Sequence, residues 1–298
     1  MPRATRKASA PRGILGVVIY AALYLASDII LSVIAYLLYF GGVISQNSFT
    51  FLADAFSLLS LSIAVFAYFM IYKRASIAKA LKDLGFARKN LLRNVGIGFL
   101  ILFIIIMLEL VVALVGQISN VQINTNVQNE FIGAPLWFYI FAAIIEPVNE
   151  EIFFRGFLIN AINNGVNRMG SLIRYLALFV FAVFNSVLVY VILSSFIQLP
   201  VIAEVAISAI AGFAIEYLIA RRASNAKTSA ITGIANGAVI FGLGHYSYYS
   251  TFGIEVIAAL MFGLIAGYVF KKTNSIYPGI IAHVIINTVA VIGLLGGI

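Results

Sequence analysis

Three of the chain's eleven acidic residues fall within the stretch EPVNEEIFFRG: Glu146, Glu150 and Glu151. Arg155 follows four residues after Glu151. On a helix, residues four apart share a face, and acid before base is the favourable order. The spacing therefore predicts a Glu151–Arg155 pair. Glu150 lies about 100° further round the helix and shares its face with Glu146. It is left without an obvious cation, which makes it the candidate general base. A plainer reading makes the cluster a solvated helix end, with Pro147 kinking the helix at Glu146.

The chain has two histidines, and both fall in apolar runs. His245 sits in AVIFGLGHYSYY, four residues after Phe241, with Gly242 and Gly244 permitting close approach of another helix. His283 sits in YPGIIAHVIINTVAVI, four residues before Asn287. Glu150, His245, His283 and Asn287 together supply a base, two imidazoles and an amide. Such a set suits activation of a water and stabilisation of an oxyanion. Glu150, His245 and His283 would alternatively suit zinc, although no HExxH spacing occurs. With no cysteine, thiolate chemistry and disulfides are excluded.

These residues must be positioned by membrane helices. Of 298 residues, 62% are hydrophobic and 10% charged, against about 25% charged in an ordinary soluble domain. Mean hydropathy is +1.05. A bilayer core needs about 20 apolar residues per helix. Nine runs qualify, near 14–40, 51–72, 95–116, 135–158, 173–197, 200–220, 230–250, 253–270 and 276–297. The expected fold is an all-α polytopic bundle of eight to nine transmembrane helices in one membrane domain, 1–298. The run after the basic N-terminus is too long for a signal-peptide core and lacks a cleavage site.

The net charge of +8 reads as topology, not as nucleic-acid binding. Basic residues cluster in the N-terminal tail, in 73–93, at Arg168 and Arg174, at Arg221, Arg222 and Lys227, and at Lys271 and Lys272. The connections 41–50 and 117–134 hold one charge, Glu130. By the positive-inside rule the N-terminus is cytoplasmic. Trp137 suits an interfacial anchor beside the Asn- and Gln-rich 117–134 loop. On this count Glu150 and His283 lie toward the cytoplasmic side and His245 toward the outer side, a mismatch in depth. Gly, Thr and Asn in 230–236 suggest that this stretch does not span.

NEEIFFRG, FGLGH and HVIIN resemble the EExxxR, FxxxH and HxxxN motifs of the CAAX-protease and bacteriocin-processing membrane proteins, which include the Rce-type prenyl endopeptidases. The resemblance covers 134–170 and 230–298, leaving 1–130 as helices outside it. It implies an intramembrane peptidase acting without a catalytic metal. Glu150 would activate water, with Glu151 and Arg155 in support. His245 would hold the water or the substrate carbonyl, and His283 and Asn287 would bind the oxyanion. The substrate would be a membrane-associated peptide or protein, lipidated or not, cut near its C-terminus.

One departure stands out. Residues 156–240 separate Arg155 from Phe241, and 171–229 reads as a two-helix insertion. Phe181–Asn185 (FAVFN) sits where FxxxH ordinarily falls, with Asn in place of His. Two other functions fit the same residues. A non-catalytic immunity or scaffold protein would use them as a buried polar lock. A proton-coupled transporter would add Asp28, Asp54, Glu109, Glu204 and Glu255, but no internal repeat supports it; by default these five are structural or interfacial. The composition suits the plasma membrane of a prokaryote.

Overall fold

In the computed structural model, residues 13–86, 90–118, 131, 133–166, 171–196, 199–222, 230–249 and 254–296 are described. Among them there is no strand. The N-terminal basic tail, most of 117–134 with Glu130, and Arg168 and Lys227 lie outside the described residues.

The apolar runs become helices. α1 is Gly13–Phe40 and α2 is Gln46–Ala67, extended by a π turn over Tyr68–Tyr72. The basic loop that follows contains a short helix, α3 (Ile77–Asp83), too short and too charged to stand out as an apolar run. Ser76 starts it by accepting the Lys79 N–H at 3.3 Å. Gly85 ends it with φ +95°, a conformation that suits glycine. The Gly85 carbonyl then accepts the Ile276 N–H at 3.1 Å, tying α3 to the start of the last helix. α4 is Leu91–Ile118. α5 runs over 136–166 and is α-helical only in pieces. π turns at Phe141–Ile145 and Ile152–Leu158 flank Glu146–Glu151. α6 (Ser171–Phe196) and α7 (Val201–Arg222) form a hairpin, followed by α8 (Ala230–Tyr249), α9 (Ile254–Thr273) and α10 (Tyr277–Gly296).

Seven described helices are long and apolar enough to cross a membrane: α1, α2, α4, α6, α7, α9 and α10. The chain is thus a polytopic helical membrane bundle. Two further helices lie among them: α5, interrupted by its π turns, and α8. These two helices carry most of the candidate site.

α1 faces outward, with Leu25, Ile29, Ile30, Val33 and Leu37 exposed, as a lipid-facing helix requires. Its inner side contributes Tyr20, whose ring packs 4.7 Å from Phe157. The core lies between α4, α5, α8, α9 and α10. It is built on Ile101, Ile105, Phe154, Phe241, Phe262 and Ala282. Without a hydrophobic driving force in lipid, close packing must do the work, and small residues permit it. A Cβ at Gly233 would meet the Ile159 carbonyl, bringing α8 against α5. A Cβ at Gly212 would meet the backbone of Ser186, so α6 and α7 touch backbone to backbone.

This packing predicts a contrast between two glycines. Gly212→Ala must push α6 from α7 and should cost about 1–3 kcal/mol, lowering the thermal midpoint in detergent. Gly96→Ala, where an added Cβ would meet nothing within 4 Å, should leave the midpoint unchanged or raise it.

Candidate active site

The position of Glu150 and Glu151 begins with Pro147. In the first π turn the Glu146 N–H bonds to Phe141 O. An α-helix would have given that donor to Ala142 O. The π-pattern donor for Ala142 O would be the nitrogen of residue 147, and proline has none. Ala142 O therefore has no helical donor on either pattern. Asn287 supplies one from α10, its Nδ2 donating to Ala142 O at 3.1 Å. The asparagine of HVIIN thus fastens α10 to the interrupted helix. A side-chain amide has two N–H donors, and this bond uses one.

The preceding residue, Asn149, fastens the other side of α5. Its Nδ2 donates to Leu58 O, and the Ser62 hydroxyl donates to Asn149 O at 3.1 Å. Motif spacing gave no hint of this residue, although a buried Asn beside two glutamates was a signal.

The Glu151–Arg155 pair forms, with Nη1 and Oε1 2.9 Å apart. Both residues are buried, at 0% and 1% exposure. The guanidinium lies under two rings, 4.3 Å from the Phe241 centroid and 4.8 Å from that of Phe262. This accounts for the phenylalanine of FGLGH: it stacks on the arginine of the first motif. Phe262 has the same part and belongs to no motif, so the sequence did not reveal it.

His283 stands between the two glutamates. Its Nδ1 lies 3.3 Å from Glu151 Oε1 and its Nε2 lies 3.5 Å from Glu150 Oε2. A carboxylate accepts, so Nδ1–H donates to Glu151, and Nε2 faces Glu150. Arg155, Glu151, His283 and Glu150 form one continuous buried chain. Glu150, which the helix spacing left without a partner, finds this imidazole on another helix. Gly279, one turn before His283, permits the approach: a Cβ there would fall on Glu151 Oε2.

His245 Nδ1–H donates to Phe241 O at 3.0 Å. In the neutral ring this leaves Nε2 as an acceptor. The depth mismatch expected from counting spans is resolved here. α8 starts against Ile159 near the end of α5, and Phe241 bridges the two levels. Its ring centroid is 5.8 Å from His283 and 4.6 Å from His245. Glu150, His245, His283 and Asn287 all line one cavity of about 450 Å³, with Glu109, Glu146, Phe241 and Phe262. Glu109, read from sequence as structural, is therefore in the cavity wall. Among the described residues, no three His, Asp or Glu side chains form a group that could hold a metal ion.

Asn185, at the alternative FxxxH position, lies elsewhere. Its Nδ2 is 3.3 Å from both Glu216 Oε2 and Asn236 Oδ1, in a buried cluster joining α6, α7 and α8.

Removing one partner from a buried ion pair strands the other charge. Arg155→Ala should cost about 3–5 kcal/mol and markedly lower the thermal midpoint in detergent. The double substitution Glu151→Gln with Arg155→Met should lie closer to the wild type than Arg155→Ala alone.

The model of the family described as type II CAAX prenyl endopeptidase Rce1-like matches residues 132–225 and 212–289. No curated protein and no solved structure matches the chain. The matched segments contain Glu150, Glu151, Arg155, Phe241, His245, His283 and Asn287, the residues that the fold gathers around one buried chain of charges, and the protein belongs to this family of CAAX-type intramembrane peptidases.

Proposed function

We propose that the protein is a glutamate-dependent intramembrane endopeptidase. The observation that carries the reading is the Glu150 carboxylate set 3.5 Å from His283 Nε2 on the wall of a cavity shared with His245 and Asn287.

Glu150 takes a proton from a water whose oxygen attacks the substrate carbonyl carbon. His245 Nε2, in the tautomer fixed by its bond to Phe241 O, accepts the water's other hydrogen and orients it. The second N–H of Asn287 donates to the developing oxyanion. His283 Nε2 shares the proton held by Glu150. The Glu151–Arg155 pair keeps that imidazole in place through Nδ1. As the C–N bond breaks, the proton passes from Glu150 to the leaving amine, giving a carboxylic acid and an amine. No cofactor enters this scheme. Each step uses a side chain of the chain itself.

Access from the membrane supports a lipid-borne substrate. Ile106 and Val289 line the cavity and are exposed on the bundle surface, at 43% and 63%. A membrane-associated peptide, with or without a lipid anchor, can enter between α4 and α10. We also read the basic loops as cytoplasmic, the membrane as the plasma membrane of a prokaryote, and 171–229 as an inserted hairpin. In support of the last, α6 and α7 pack chiefly on each other.

A second reading has its own observation. The Asn287–Ala142 bond is a structural fastening, as a non-catalytic scaffold with a buried polar lock would need. Hydrolysis of a prenylated CAAX reporter and a mixed apolar peptide library, by purified protein in detergent, separates the two. On the peptidase reading Glu150→Gln loses about 100-fold or more in rate while keeping its thermal midpoint, and a chelator has no effect. No hydrolysis by a folded wild type, with a lowered midpoint in Glu150→Gln, supports the lock. Asn287→Ala should lose both activity and thermal stability, because it removes an oxyanion donor and leaves Ala142 O unpaired.

A further inference from the structure

The α6–α7 hairpin holds a groove of about 830 Å³, and none of its lining residues lines the cavity that holds Glu150. Leu178, Phe179 and Ala182 of α6, with Phe213 and Ala220 of α7, make its apolar walls. The Phe179 and Phe213 rings meet with centroids 5.6 Å apart, and both are exposed. Two membrane helices thus offer a concave apolar surface to the lipid around them.

One end of this groove is cationic. Arg174 lies in the first turn of α6 and Arg221 in the last turn of α7. The hairpin brings both to the same end, and both line the groove. Tyr175 and Tyr217 line it too and are exposed, as amphipathic rings are at the level of lipid headgroups. Arg221 complements the dipole of α7, but Arg174 opposes that of α6. Helix stability therefore does not account for Arg174. Among the described residues no carboxylate pairs with it. The stretches that adjoin this end in the chain, 167–170 and 223–229, contain no acid and add Arg168 and Lys227. Arg221 need only contribute its charge, because a guanidinium has five N–H donors and can serve more than one acceptor. The groove's carboxylate, Glu216, stands five residues before Arg221, about 7.5 Å further along the helix. It is buried, with Oε2 turned to Asn185.

A groove that is apolar along its length and doubly cationic at one end matches a molecule that is apolar with one anionic end. A second copy of the chain is a poor match. Set side by side in a membrane, it would bring its own Arg174 and Arg221 to the same end, and like charges brought together repel. A soluble anion would leave the apolar walls unused. Basic pockets between membrane helices do bind lipid headgroups. We infer that the α6–α7 groove binds an anionic glycerophospholipid, with its phosphate at Arg174 and Arg221 and an acyl chain along Phe179 and Phe213. This inference is independent of the peptidase reading.

The test is native mass spectrometry of the full chain in a neutral detergent, titrated with phosphatidylglycerol or with phosphatidylcholine of the same chains. Wild type should retain one phosphatidylglycerol in clear preference to phosphatidylcholine. Arg174→Gln and Arg221→Gln should each weaken that binding about fivefold, and the two together about 25-fold. Arg174→Lys with Arg221→Lys should keep most of the preference. Lys79→Gln with Lys82→Gln, which removes two exposed cations of α3, should leave it unchanged. Thermal midpoints without lipid check that each variant is folded. Glycerophosphoglycerol, the same headgroup without chains, should not displace the lipid at equal concentration. Equal retention of the two lipids by wild type overturns the inference. So does a phosphatidylglycerol preference that survives in the double Gln variant, one lost as much through Lys79 and Lys82, or displacement by the chainless headgroup.

Discussion

The site depends on a buried ion pair. Glu151 and Arg155 are fully enclosed in a bundle whose surroundings are lipid and apolar side chains. Two charges removed from water are costly, and their attraction offsets this only when geometry and additional hydrogen bonds are good. Here the offset comes from several helices at once. Phe241 of α8 and Phe262 of α9 cover the guanidinium, and His283 of α10 bonds to the carboxylate. The pair therefore draws three helices onto α5. It also fixes the imidazole that faces Glu150. Stability and the geometry for chemistry come from the same contacts.

The second constraint is the irregular backbone of α5. Non-helical backbone at membrane depth must find its hydrogen-bond partners within the protein. The freed carbonyl of Ala142 finds Asn287. Asn149 and Ser62 join the next turn to α2. The first π turn and the short α-helical piece after it thus serve as attachment points, and that piece presents Glu150 and Glu151 inward. π turns of this kind commonly occur at functional sites.

Much of this was legible in the sequence, and the boundary has physical causes. Apolar runs marked the long helices because lipid imposes that composition. The Glu151–Arg155 pair was legible because four-residue spacing is local geometry. The placement of His283 between both glutamates was not, since it depends on how α10 meets α5. Span counting set Glu150 and His245 at different depths because it carries no information on how helices meet, whereas the fold places both on the wall of one cavity. Helix α3 was hidden in a basic loop, where charge spoke for topology and obscured a short capped helix. Phe262 and Glu109 carry no motif; their roles arise from helices α9 and α4 packed around the cavity. The Asn185–Glu216–Asn236 cluster is likewise invisible in the sequence, because its three residues come from three helices.

The chain's two histidines make the central claim directly observable. Nitrogen-15 NMR of histidine-labelled protein in detergent micelles resolves two imidazoles. If the buried pair orients His283, Glu151→Gln should change the Nδ1 and Nε2 signals of one ring, assigned to His283 by its loss in His283→Gln, and leave the other ring unchanged. Unaltered signals from both rings in a folded Glu151→Gln protein would contradict the account.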